Sequence, residues 1–177
     1  MLSFKCTKKV QLYLGVSTDE LVSAPEVKTT LLGAWYVNQI TIDRRKFFLF
    51  MNEKTLLSFV CLGVKKSKSL KLDFPSTFLY HFFTLAKLFE FPLEHTEQFV
   101  EDYYQSEYRK TDSKRLLGNM NDLAHLYRHY IMYDGGFNYC DLSQIIFKVN
   151  QTPQRSLNWN YSVDIVHDIL AQPNKFM

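Results

Sequence analysis

The stretch WYVNQITIDRRKFFLFMNEKTLLSFVCL, residues 35–62, decides the fold. It divides into three aromatic or β-branched runs, Trp35 to Ile42, Lys46 to Met51 and Leu56 to Leu62. The breaks between them are the polar strings Asp43-Arg44-Arg45 and Asn52-Glu53-Lys54-Thr55. Breaks this short fit hairpin turns, so the runs are expected to form three consecutive antiparallel strands. Such a meander has an apolar face that helices must cover.

Reading outward toward the start, Leu2-Ser3-Phe4-Lys5-Cys6 alternates as a strand does. Thr7 then stands where a helix N-cap sits, before a short helix from Lys8 to Leu14 that Gly15 stops. Val16 to Leu32 breaks the pattern with Ser, Thr, Pro and charged residues and reads as a long surface loop with one turn of helix.

Toward the end, Lys65, Lys66, Lys68 and Lys71 form a solvated loop leaving the sheet. Phe78, Phe82, Leu85, Ala86 and Phe89 share a helical face between Pro75 and Pro92. A second helix, Glu94 to about Tyr104, is expected directly after it, and Ser106 to Thr111 reads as a returning strand. Asn119 to Tyr133 is a long helix with a core stripe of Met120, Leu123, Ala124, Tyr127 and Ile131, ended by Asp134-Gly135-Gly136. Asp141 caps a helix to Val149, and Ser162 caps a last one to about Leu170.

A chain of 177 residues, 46% hydrophobic and 22% charged, can bury one sizeable core, so a single domain over 1–177 is the expectation. Six Gly and five Pro exclude collagen-like and low-complexity classes. Twenty-one basic against 18 acidic residues leave a net charge of +3, too small an excess to announce a nucleic-acid binder on its own. Cys6, Cys61 and Cys140 lie far apart with no CxxC pair, as in a reducing, cytoplasmic compartment. Lys5, Lys8 and Lys9 interrupt any secretory signal. The greasiest run, Phe74 to Ala86, contains Pro75 and His81 and falls short of the roughly 20 apolar residues of a membrane span. A soluble protein with no membrane partner is the expectation. P-loop, GxGxxG, GxSxG and HExxH motifs are all absent, and no cofactor is implied.

The string Lys114-Arg115-Leu116-Leu117-Gly118-Asn119-Met120-Asn121-Asp122 is the most unusual. Its plain structural reading makes Asn119 an N-cap, Asp122 the N3 carboxylate and Gly118 the tight lead-in. Its functional reading adds Lys114 and Arg115 to a helix N-terminus as an anion site, with Asn121 left unexplained by capping. Asp122, His125 and His129, spaced i, i+3, i+7, lie opposite the apolar stripe and could present one carboxylate and two imidazoles. No second His or Cys cluster completes a metal site, so no metal is expected there. Arg44, Arg45, Lys8 and Lys9 are further basic clusters, and Trp35, Tyr36 and Tyr108 would offer stacking surfaces if exposed. Strand aromatics are more often core.

Cys6-Thr7-Lys8-Lys9, Trp35, Thr41-Ile42-Asp43-Arg44-Arg45, Asn52 and Gly118-Asn119-Met120-Asn121-Asp122 together resemble a bacterial family of small proteins described as a domain of unknown function. The likeness runs from the Thr-Lys-Lys start to Thr152-Pro153 and Ser156-Leu157. Family members have Arg-Ser ahead of a Gly-Ser-Met-Asn motif; here Leu116 follows Arg115 and Asn119 stands for the Ser. The resemblance implies no activity.

The expectation is therefore an α+β fold, with an antiparallel sheet of about four or five strands and helices packed mainly on one face. The leading functional expectation is a non-enzymatic binding module. Lys8, Arg44, Arg45, Lys114, Arg115, Asn119 and Asn121, with Asp122 and His125 nearby, would recognise a phosphate-bearing or acidic partner, nucleic acid among them. One alternative is a metal-independent nuclease or phosphotransfer enzyme, with His125 or His129 as base and Arg115 or Lys114 stabilising charge. Another is a structural interaction protein that forms a symmetric homodimer through exposed aromatics.

Overall fold

The computed structural model describes residues 1–23, 30–63, 67, 69–92 and 105–171. Strand β1 (Ser3–Cys6) leads into helix α1 (Lys8–Leu14), and the meander follows as β2 (Trp35–Ile42), β3 (Arg45–Asn52) and β4 (Ser58–Leu62). Helix α2 (Leu70–Leu88), strand β5 (Glu107–Lys110) and helices α3 (Lys114–Tyr133), α4 (Leu142–Asn150) and α5 (Ser162–Ala171) complete the chain. Single 3-10 turns stand at Thr18–Glu20 and Arg155–Leu157.

The five strands form one α+β sheet in the order β4-β3-β2-β1-β5. The meander is antiparallel, with Ile42 opposite Arg45 across a two-residue turn. The sheet as a whole is mixed, because β1 runs parallel to both β2 and β5. This corrects the purely antiparallel expectation, and connection length explains it. A two-residue turn can only reverse the chain, whereas the long stretches between β1 and β2 and between β4 and β5 carry a helix and can return it parallel.

Helices cover both faces, which corrects the expectation of one. Phe47, Leu49 and Met51 face one way with Tyr36, Ile40 and Val60, against Leu116, Met120, Leu123, Tyr127 and Ile131 of α3 and Ile145 and Val149 of α4. Phe48 and Phe50 face the other way with Phe4, Trp35 and Phe59, against α1, α2 and α5. A strand apolar at successive positions, as Phe47 to Met51 is, has two dry faces. Trp35 lies 5.0 Å from Phe78 and Phe50 stacks 4.9 Å from Phe59, so Trp35 is core and no stacking platform. Tyr36 is buried as well, and Tyr108 stacks on Phe4.

Two helix starts differ from expectation. Helix α2 begins at Leu70, so Pro75 lies inside it and Lys71 belongs to its first turn, where it pairs with Glu20. Helix α3 begins at Lys114, capped by Ser113, whose Oγ accepts from Leu116 N at 3.3 Å. Asn119 is therefore no N-cap, Asp122 no N3 residue and Gly118 no lead-in. Lys114, Arg115, Leu116 and Leu117 are strong helix formers, and the nearest start signal is the Asp112-Ser113 pair ahead of them. Lys65, Lys66, Lys68 and the expected helix from Glu94 to Tyr104 lie outside the described residues.

Candidate functional site

Strands β1 and β5 lie side by side with Cys6 opposite Lys110. From Cys6 the chain turns through Thr7 into α1, whose Val10 and Leu14 join the phenylalanine-rich core. From Lys110 it turns through Asp112 and Ser113 into α3, whose stripe joins the opposite core. Neighbouring parallel strands whose helices leave to opposite faces make a switch point at their carboxyl ends, the place where open sheets of this kind hold ligands.

Beside these strand ends, one face of the sheet carries an ionic cluster. Arg109, Lys5, Tyr36, Met51 and Ser58 stand in register across one face of the sheet. Lys5 Nζ donates to Glu53 Oε2 at 2.8 Å and lies 3.0 Å from Asp112 Oδ2. The Tyr36 hydroxyl donates to the other oxygen of Asp112, and Arg109 pairs with Glu107. Glu53 also accepts from Ala34 N. Burial, together with the hydrogen bond to Asp112, pushes the Tyr36 phenol up to about 12. Asp112 is partly desolvated, which works against ionisation, yet the bonds from Tyr36 and Lys5 hold its carboxyl below its ordinary value. Asp112 is thereby tied to the sheet, and it anchors the first turn of α3 beside β1.

Exposed cations stand at or just after the two strand ends: Lys8 and Lys9 on α1, Lys110 at the end of β5, and Lys114 and Arg115 on α3. Lys8 thus follows directly on the end of β1, and Lys114 and Arg115 on the end of β5. The other expected residues do not. Arg44 lies in the β2–β3 turn and Arg45 opens β3, and β2 runs five residues past Val37, the partner of Cys6, or roughly 16 Å farther. Arg45 is also engaged: Nη2 donates to Asn138 Oδ1 at 2.7 Å and the guanidinium covers the Phe137 ring at 4.9 Å. Asn119 accepts from Ser156 Oγ at 2.8 Å, while its amide nitrogen, screened from solvent, finds no partner among the described residues.

Asn121, Asp122, His125 and His129 are exposed along the outer face of α3. His125 Nδ1 lies 3.4 Å from Arg128, and His129 stacks on Tyr133. His125 sits ten residues beyond Arg115, about 15 Å along the helix, so the two do not form one cleft. No group of three metal-binding side chains occurs among the described residues.

Sequence reasoning missed Lys5, Tyr36, Glu53 and Asp112. One signal was present: Lys5 is a lone charge between Phe4 and Cys6, in a strand that has neighbours on both sides. A charge in such a position requires a carboxylate partner.

The family described as Domain of unknown function (DUF6933) matches residues 3–165. The chain belongs to this family. No curated protein and no solved structure matches it. In this DUF6933 member the motif residues noted in the sequence divide by role. Asn52 is buried and organises a turn, donating to Leu32 O and accepting from Lys54 N, Thr55 N and Thr55 Oγ1. Thr7 donates to Asn38 Oδ1, and Arg45 clamps the loop after α3. Lys8, Lys9 and Arg115 face solvent and have no such bond among the described residues.

Proposed function

We propose that this DUF6933 member is a non-enzymatic module that binds a phosphate-bearing or acidic partner at the switch point between the ends of β1 and β5. The observation that carries the reading is the parallel pair of Cys6 and Lys110, with α1 and α3 leaving to opposite faces and Lys8, Lys9, Lys110, Lys114 and Arg115 exposed at or just after the strand ends. The first N–H groups of α3 add partial positive charge where an anion would sit. Asp112, the carboxylate nearest these cations in sequence, shares Lys5 with Glu53 and accepts from the Tyr36 hydroxyl. Three unpaired thiols support a reducing, cytoplasmic setting, and no helix among the described residues is long and apolar enough to cross a membrane.

The test is calorimetric titration with a short inorganic polyphosphate at low and moderate salt. Affinity should fall steeply with salt and fall further in Lys8→Ala and Lys114→Ala/Arg115→Ala, while Arg44→Ala should match the parent. Affinity unchanged in the Lys8 and Lys114/Arg115 variants would overturn the reading.

A further inference from the structure

The loop after α4 shows a backbone strain that its fold does not require. Gln154 and Asn160 pair across it, with Gln154 N donating to Asn160 O at 3.1 Å and Trp159 N to Gln154 O at 2.9 Å. Asn160 N then reaches Leu157 O at 3.1 Å, closing a turn whose central residues are Asn158 at φ 55° and Trp159 at φ 65°. Asparagine enters this left-handed region readily, but a bulky side chain there is an outlier. Glycine would fill the position without strain. Tryptophan instead occupies it with 66% of its surface exposed, and Tyr161, two residues on, is 42% exposed. Burial therefore does not explain either ring.

Polar neighbours accompany them. Arg155, Asn158 and Asn160 are exposed on the same loop. The loop is fastened to α3 by the bond from Ser156 Oγ to Asn119 Oδ1. Arg115 lies one turn before Asn119 on the same helix face, about 6 Å along the axis. The loop that carries the rings is thus joined to α3 one helical turn from Arg115.

Resting on the anion-binding reading above, we propose that the partner is single-stranded nucleic acid, with a base stacked on Trp159 and its phosphates held by Arg155, Arg115 and Lys114. A solvent-facing indole offers a flat surface to any unpaired base, and flanking guanidinium groups neutralise the backbone. Duplex DNA, whose bases already stack on each other, cannot use the indole.

Trp35 is fully buried, so quenching of intrinsic fluorescence on adding ligand reports Trp159. The experiment titrates the protein with a twelve-nucleotide oligothymidylate, with a duplex of mixed sequence and with inorganic polyphosphate. All three titrations are repeated by calorimetry on the parent and on Trp159→Gly, which lacks the reporting ring; the change relieves the turn and leaves thermal stability equal or higher. The expected result is quenching by the single strand, weaker binding of the duplex, and a loss on the order of ten- to a hundred-fold in single-strand affinity for Trp159→Gly with polyphosphate affinity unchanged. Equal affinity of parent and Trp159→Gly for the single strand, with polyphosphate still bound, would overturn the stacking proposal and leave the anion site standing. Absence of binding by all three ligands would overturn both.

Discussion

The Tyr108 hydroxyl donates a 2.7 Å hydrogen bond to the carbonyl of Lys71, the carbonyl that Pro75 deprives of its helical partner. In a regular helix the N–H of residue 75 would bond that oxygen, and proline has none. Strand β5 thus repairs α2 from outside, and the helix runs through Pro75 where the sequence suggests it should start. Tyr108→Phe should cost about 1–3 kcal/mol by leaving the oxygen orphaned. In a Pro75→Ala background, which restores the N–H, the same change should cost much less. Urea unfolding of the four proteins gives the coupling, and additive costs would refute the repair.

The pairing of Lys5 with Glu53 and Asp112 makes a second prediction. Lys5→Met leaves two carboxylates without their cation and should cost about 2–3 kcal/mol at neutral pH, less than a fully buried pair because the Asp112 side chain is 60% exposed. Asp112 has a folded pKa below its unfolded value, so its contribution is complete above roughly pH 5 and is lost as pH falls through the folded value. The gap between parent and Lys5→Met should therefore shrink in acid. Thermal unfolding at pH 7 and pH 3.5 measures it; a gap that stays constant would count against the ionic account.

Strand β4 is an edge of the sheet, and the Asn150 carboxamide covers part of it as a neighbouring peptide group would. Its Oδ1 accepts from Ser58 N at 2.8 Å and its Nδ2 donates to Ser58 O at 2.7 Å. Asn150→Leu should destabilise by about 2 kcal/mol and expose the edge to pairing with other chains. Light scattering across a concentration series should show more self-association than in the parent.

Arg44 adopts φ 60° in the β2–β3 turn, beside Asp43 at φ 48°. Tight hairpins of this mirror-image type favour glycine at the second centre. Arg44→Gly should raise stability by about 0.5–1 kcal/mol and leave polyphosphate binding unchanged, because the turn stands away from the ends of β1 and β5. A loss of affinity in that variant would return the turn to the binding surface.

His81 is half-buried on α2, and desolvation pushes its imidazole below its ordinary pKa. The unfolded chain binds the proton more readily, so stability should be complete above about pH 6.5 and fall as pH drops through the folded value. A melting temperature followed from pH 7.5 to pH 5 should decline less in His81→Gln than in the parent.

Elements governed by near neighbours were legible in the sequence: the three strands of the meander, β5, the helix between Thr7 and Gly15, and the cap at Asp141, whose Oδ1 accepts from Ser143 N and Gln144 N. Alternation, turn length and capping act over a few residues, so reading along the chain suffices. Of the proposed site, Lys8, Lys114 and Arg115 were legible as exposed cations, but the ion cluster of Lys5, Glu53 and Asp112 beside them was not. The second dry face was written in Phe47 to Met51, where apolar residues occupy consecutive positions, yet it became evident only once α3 and α4 were seen against it.

The sequence by itself determined the strands and most helix ends, because these answer to local propensity and pattern. Tertiary structure alone decided that β1 lies parallel between β2 and β5, that Lys5 meets Glu53 and Asp112, and that Tyr108 completes α2. Those pairings join residues far apart in the chain, and burial of both sheet faces selects them: a charge or carbonyl taken from water must find its partner wherever folding brings one.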